Sequence, residues 1–398
     1  MRNRKLLQFF ACLAIIGCLA SCSSGDGDDT AVAAPTVVKI AAGESHTVAL
    51  QSDGTLWAWG DNSYGQLGNG HSSSIAVKEP AQVGSDTDWS SMACGAHFTV
   101  AIKTDGTLWA WGDNECGQLG TGDTETSETN PVRIGSDTTW SAVACGTYHT
   151  VALKGDGTLW TWGEDAYGEL GNGDSNSDTV AKPMLATTTT GWSAIACGNN
   201  HCLAILDDGT LWAWGLNTTG QLGTGDYDTE TSPVKIGSMS TWKKIACGGF
   251  HSLAIASAAL LPTFRPLYAW GNGANGQLGT GYPYSDNSPT KIGDDLNWSA
   301  IAGGVYHTIA LQSDGTLWTW GYDFYGQLGN GDSSSDDVTT PAQVGSDADW
   351  SAVASGYEHC LALKGDGTLW AWGQNSDGQL GTGDTTNRTS PVQITLGD

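Results

Sequence analysis

The chain carries eight histidines and ten cysteines, the residue types best suited to metal or nucleophile chemistry. Six histidines, His46, His149, His201, His251, His307 and His359, follow Gly-x-x and precede an apolar run, so they share one register. A ring of imidazoles would bind metal or move protons. Phe98 holds the same register after Gly95-Ala96-His97, however, so the site tolerates loss of the imidazole. Metal ligation also requires donors within ~4–5 Å of each other, because metal–nitrogen bonds are near 2 Å, and each histidine belongs to a different copy of the unit. A repeated side chain that hydrogen-bonds between strands is the better reading. Cys94, Cys145, Cys197 and Cys247 share a second register, which Ala42, Gly303 and Ser355 fill elsewhere. That slot asks for a small residue, and cysteine serves as a small hydrophobe. Cys197 and Cys202 can approach across a turn and Cys116 lies in a loop, but no Cys-x-x-Cys pair occurs. The expectation is reduced, buried thiols.

Carboxylates crowd the loops, as in Asp226-Tyr227-Asp228-Thr229-Glu230 and from Asp332 to Asp337. They lack the ligand order of a calcium loop and read as solvated acidic loops. Glu44 and Glu358 sit in Gly-x-x-His turns, where a carboxylate pair within ~5–10 Å would suit glycoside chemistry. No Ser-His-Asp order, phosphate loop or His-Glu-x-x-His motif is present. The sequence therefore assigns no catalytic, cofactor-binding or metal residue.

The elements that position these residues come from an internal repeat. Leu-Trp-Ala-Trp-Gly and its variants end at Gly60, Gly112, Gly163, Gly215, Gly271, Gly321 and Gly373, at spacings of 52, 51, 52, 56, 50 and 52. Each is followed by Gly-Gln-Leu-Gly, written Gly-Glu-Leu-Gly at 168–171. Thirteen of the 19 Trp lie in these strands and six open the Trp-Ser-Ala strands, so every Trp is a repeat residue. Alternation in Leu-Trp-Ala-Trp marks strands, and the Asp-Gly between His-Thr-Val-Ala-Leu and Leu-Trp-Ala-Trp marks a hairpin. Four strands per unit, seven times, predicts an all-β, seven-bladed β-propeller of four-stranded blades. The first copy begins at Val37 without a preceding Pro-Val-x-Ile, and the chain stops with Pro391-Val392-Gln393-Ile394. The C-terminal strand is therefore expected to join the first blade and close the ring, making 37–398 one domain.

Upstream lies an address. Arg2, Arg4 and Lys5 precede an apolar run from Leu6 to Leu19, too short for a comfortable membrane span. Residues 1–21 read as a signal peptide, and 22–36 as an anchored residue, Cys22, plus a small, acidic, flexible tether. Leu19-Ala20-Ser21-Cys22 resembles the bacterial lipoprotein signal, which implies lipidation of Cys22 and anchoring in the outer membrane, periplasmic or surface-exposed. The whole chain carries 16 Lys+Arg against 42 Asp+Glu, a net charge of −26. That opposes nucleic-acid binding, which rests on Lys and Arg. It leaves the lipid anchor as the contact with membrane and a monomer as the expected state.

The unit Gly-x-x-His-Thr-x-Ala-Leu…Asp-Gly-x-Leu-Trp-x-Trp-Gly-x-Asn-x-x-Gly-Gln-Leu-Gly-x-Gly resembles the regulator-of-chromosome-condensation repeat, from Val37 to Ile394. That family is a seven-bladed propeller, so motif and count agree. The resemblance implies a non-enzymatic binding or scaffold propeller with an unknown protein or glycan partner, and bacterial members that bind proteins outside the cytosol give precedent. It also implies, as an alternative, guanine-nucleotide exchange, which the signal peptide opposes. An envelope lyase or glycosidase using channel-mouth carboxylates is a further alternative. Two surfaces are candidates for the partner. The fifth copy replaces the polar hairpin with the apolar stretch 256–266, offering Leu260, Leu261, Phe264 and Arg265. Tyr64, Tyr167, Phe324 and Tyr325 form a second candidate set before Gly-Gln-Leu-Gly.

Overall fold

A computed structural model describes residues 34–175, 179–257, 264–293, 297–333 and 337–397. The stretch expected to be a signal peptide, with Cys22, Leu260 and Leu261, lies outside the described residues. The strands form seven four-stranded antiparallel sheets, each an uninterrupted meander of four consecutive strands. Blade 2 shows why. Trp89–Cys94, Phe98–Lys103, Leu108–Gly112 and Glu128–Arg133 pair in chain order. Between its second and third strands Gly106 adopts φ +76°, and a Cβ there would stand 2.3 Å from the Thr138 carbonyl. The turn and the close approach both demand glycine. Asp105 braces it by accepting the Thr107 amide at 2.9 Å.

The first strand of each blade is innermost. The ends of these strands and the turns after them ring a central cavity of about 100 Å³. Blades bury one another's faces. One cluster joins Val48, Leu50, Leu56 and Leu67 of blade 1 to Trp89 and Trp111 of blade 2. Another joins Leu361, Leu363, Leu369 and Ile394 of blade 7 to Val37, Trp57 and Trp59 of blade 1. The second Trp of every Leu-Trp-x-Trp strand is fully buried. Truncating one such side chain costs about 3–5 kcal/mol.

The expected ring closure needs correction. The last strand, Arg388–Ile394, pairs with Leu369–Gly373 of its own blade, and the first blade takes Ser73–Gln82 as its outer strand. The Pro-Val-x-Ile strand ends a blade; it does not begin one. The sequence misleads because the outer strand and the next innermost strand are joined by a short link. Leu-Trp-x-Trp-Gly, by contrast, is separated from its true outer partner by the long Gly-Gln-Leu-Gly loop. Blade 7 meets blade 1 as every other pair does, through that loop: the Gly383 amide donates to Lys78 O at 2.9 Å.

Deleting 388–398 should therefore strip amide-exchange protection from Leu369–Gly373 and leave the pairing of Val37–Ala42 with His46–Gln51 protected. Exchange mass spectrometry reads both segments; loss at Val37–Ala42 with retention at Leu369–Gly373 would restore the closure expected from sequence.

Candidate functional site

Each blade boundary is one polar joint. The main-chain carbonyl of Gln66, in the long loop between the third and outer strands of blade 1, accepts from Trp111 Nε1 at 2.9 Å and from Thr99 Oγ1 at 2.9 Å, both on blade 2. Because the Thr99 hydroxyl donates there, it accepts from His46 Nε2 of blade 1 at 3.1 Å. The ring closes identically: Gln379 O takes Trp59 Nε1 at 2.9 Å and Thr47 Oγ1 at 2.8 Å, and Thr47 meets His359 Nε2 at 3.1 Å. The histidines thus act as single donors between blades. Burial first of all holds His46, His201, His251, His307 and His359 down to about 3, so they are neutral. The glycine three residues earlier packs on the imidazole, and a Cβ at Gly43 would lie 2.2 Å from His46 Cε1. The glutamine is the member that sequence reasoning missed. Its motif is visible, but the working atom is a carbonyl that any residue supplies.

The boundary between blades 3 and 4 departs from the pattern. His149 Nε2 lies 3.1 Å from Cys202 Sγ, which lies 3.0 Å from Cys197 Sγ. Burial presses the His149 imidazole toward neutrality, but the hydrogen bond and charge of Cys197 outweigh it and raise its pKa. Elsewhere Cys360 is buried and Cys94, Cys116, Cys145 and Cys247 are half-buried, and burial pushes the Cys94 thiol up to about 12.

The turns after the innermost strands share one face with the long loops that follow each Leu-Trp-x-Trp-Gly. At this face Tyr64 stacks on His97 with centroids 4.9 Å apart, and His97 Nε2 lies 3.5 Å from Glu44 Oε2. Glu358 accepts from Gln327 Nε2 at 2.5 Å. The two carboxylates turn to different neighbours, Glu44 toward blade 2 and Glu358 toward blade 6, and do not form a facing pair. Phe324 is 54% exposed, edge-on to Tyr325 at 5.0 Å and stacked with Tyr322 at 6.2 Å. Tyr322 in turn meets Tyr306, and Tyr306 meets Phe250. Tyr167 is exposed, whereas Tyr64 and Tyr325 are half-buried. Three further exposed aromatics, Tyr227, Tyr282 and Tyr284, were missed in the sequence because they lie outside the repeated motif. With Tyr167 and Phe324 they make up all the exposed aromatics among the described residues, and all five stand on the long loops of blades 3 to 6.

The other candidate surface lies on the opposite face. Phe264 is half-buried beneath Lys291 Nζ, 5.5 Å from its ring, and Arg265 is exposed. Beside them a cavity of about 260 Å³ is lined by Lys243, Lys244, Ile255, Arg265 and Trp298. The structure thus brings Phe324 and Tyr325 together, leaves Tyr64 and Tyr167 on other blades, and sets Phe264 and Arg265 across the disc from them all.

Comparison with known proteins follows the same lines. A family model described as an RCC1-like domain matches residues 20–254, and one described as the regulator of chromosome condensation (RCC1) repeat matches 266–311, 314–363 and 366–398. The chain is 32% identical over 364 residues to the ultraviolet-B receptor UVR8 of Arabidopsis thaliana, covering 90% of this chain and 70% of that protein. It is 31% identical over 391 residues to the human E3 ubiquitin-protein ligase HERC2, covering 96% of this chain but spanning only 8% of that protein. Among solved structures it resembles human WBSCR16, with TM-score 0.76 and 24% identity over 86% of this chain and 95% of the other. It also resembles Prp20p of Saccharomyces cerevisiae, studied for its binding to Gsp1p and histones, with TM-score 0.77 and 23% identity over 87% of each. These two likenesses are of fold.

The channel mouth should titrate. Burial holds Glu358 up to about 7, above its ordinary 4.5. The folded chain therefore keeps this proton after the unfolded chain has lost it. The stability this provides is full below pH 4.5 and is lost as pH rises through 7. Replacing Glu358→Gln should flatten that loss and stabilise the protein at pH 8 by about 1–2 kcal/mol, read from urea midpoints across pH. An unchanged pH profile would place the titration elsewhere.

Proposed function

The chain is a member of the RCC1-repeat family, and from that premise we propose that it is a non-enzymatic binding propeller whose long-loop face captures a protein. The observation that carries this reading is the arc of exposed aromatics, Tyr167, Tyr227, Tyr282, Tyr284 and Phe324, confined to one face over four consecutive blades. Aromatic side chains supply contact area at low conformational cost and dominate interface energetics. Acidic residues share these loops, among them Asp226, Asp228 and Asp332. In a chain of net charge −26, a partner with an apolar centre and a basic rim is the electrostatic complement. Rigid joints beneath the loops keep the arc pre-organised, which reduces the entropy cost of binding.

We further propose that the propeller is displayed on a bacterial envelope, lipid-anchored through Cys22. The basic start, the short apolar run and Ala20-Ser21-Cys22 support this. Replacing Cys22→Ser should move the protein from the detergent-soluble membrane fraction to the aqueous fraction. Membrane retention of the variant would sink the anchor.

For the binding face, full-length protein in detergent is offered to envelope and culture-medium extracts beside two variants. One carries Tyr284→Ser and Phe324→Ser; the other has 256–266 replaced by a short Asp-Gly turn. A protein captured by the wild type and the hairpin variant, lost with the double variant, and released as salt rises is the expected result. Loss with the hairpin variant instead would transfer the site to the opposite face.

A further inference from the structure

Seven boundaries share one plan, and two carry sulfur where the others carry oxygen. Cys360 meets His307 Nε2 at 3.1 Å and faces Ser355, whereas Cys202 meets His149 and faces a second thiol. Cys94 faces Thr99, Cys145 faces Thr150 and Cys247 faces Ser252 across the first two strands of their blades. In blade 4 Cys197 faces Cys202. The Gly198 amide bonds the His201 carbonyl next to them, so the cysteines occupy the alternate, non-hydrogen-bonded position where cross-strand side chains approach most closely. Blade 3 adds His149, and the three donor atoms all lie within 4.8 Å of one another. Among the described residues this is the one such grouping of histidine, cysteine and carboxylate donors.

The thiol is a poor member of the joint it occupies. Cys202 Sγ stands 3.9 Å from the Glu169 carbonyl, where the hydroxyls of Thr99 and Ser252 stand 2.9 and 2.7 Å from theirs. The same boundary is the one at which the loop glutamine becomes Glu169. That residue is fully buried, and its carboxylate accepts from the Tyr167 amide at 2.7 Å and Asn200 Nδ2 at 2.9 Å. A buried carboxyl side chain thus shares this boundary with two sulfurs and an imidazole. On the inner side, Cys197 lines the central cavity.

We propose that His149, Cys197 and Cys202 form a binding site for a divalent, borderline-soft cation, Zn²⁺, with the fourth position open to the central cavity. Two thiolates and a neutral imidazole form an established zinc donor set, with bonds near 2.3 and 2.0–2.1 Å. Tetrahedral coordination needs donors ~3.3–3.9 Å apart, so the sulfurs separate by less than ~1 Å from their present positions. Binding releases both thiol protons to solvent and leaves His149 neutral, its Nε2 lone pair on the metal. Two thiolates then balance the dication, and Glu169 opposes any further anion. A monovalent ion would leave the buried set with net negative charge beside a carboxylate, which is why the site suits Zn²⁺ over Cu⁺.

The test uses the reduced, metal-stripped full chain, titrated with Zn²⁺ against a chromophoric chelator and, separately, with Co²⁺ as a spectroscopic probe. The expected result is one Zn²⁺ per chain and a thiolate-to-cobalt charge-transfer band. Cys197→Ser and Cys202→Ser should each weaken Zn²⁺ by at least about 100-fold and abolish the band, while Cys247→Ser changes neither. Cys202→Ser keeps the fold, because Ser252 already fills the equivalent place in blade 5. An unchanged melting temperature for that variant without metal separates lost ligation from lost structure. Three results would overturn the site: no stoichiometric uptake, uptake that survives both serine variants, or uptake of Cu⁺ with exclusion of Zn²⁺. Closure of a Cys197–Cys202 disulfide in the presence of excess Zn²⁺ and reductant would do so as well.

Discussion

One carbonyl per boundary organises this molecule. The main-chain oxygen at the loop glutamine, or at Glu169 in one copy, accepts an indole N–H and, in most copies, a hydroxyl from the next blade. Both donors are buried, and an unmet donor there would cost about 1–3 kcal/mol. The pairing explains several residues at once. The Trp is held because its indole must reach that oxygen, and the Gly two positions after the glutamine is required because a Cβ at Gly68 would meet Trp111 Nε1 at 2.8 Å. The histidine is neutral because it is buried, and its Nε2 carries the proton because a partner hydroxyl has already spent its own on the carbonyl.

The repeat made the fold legible from sequence: spacing, Trp positions and Asp-Gly hairpins predicted seven blades of four strands. The histidine register was legible too: Phe98 showed that the position does not depend on an imidazole, and the six His do hydrogen-bond between blades. Closure was not legible, because strand pairing depends on which end of a long loop a strand returns to, and Pro-Val-x-Ile reads equally well at either end of the unit. The aromatic arc was half legible. Phe324 and Tyr167 stand next to a motif that anchors the eye, whereas Tyr227, Tyr282 and Tyr284 sit in variable stretches whose exposure only packing decides. Cys197 and Cys202 were recognised as able to meet. That His149 completes the group depends on the neighbouring blade, which no local spacing contains.

Structure and variation are divided cleanly between parts of the blade. The strands and joints repeat with little change, and the sheets they form are buried on both faces. The departures collect in the long loops, in one hairpin and at three boundaries, where Phe98 replaces the histidine and Cys202 and Cys360 replace the hydroxyl. Those are also the places where aromatic, basic and sulfur chemistry appears. A scaffold of this type sets a rigid floor and leaves its upper loops free to differ, which is the division expected of recognition surfaces.

The corrected strand order also bears on how such a chain arises. Since each blade is four consecutive strands and blade 7 meets blade 1 through the same side-chain contacts as any other pair, the genetic unit of duplication coincides with the physical unit of packing. An in-frame copying event that starts and stops in the short outer-to-inner links delivers a whole sheet with both of its seams matched. No strand need be borrowed from the far end of the chain, so one terminus can change without its opposite having to change with it.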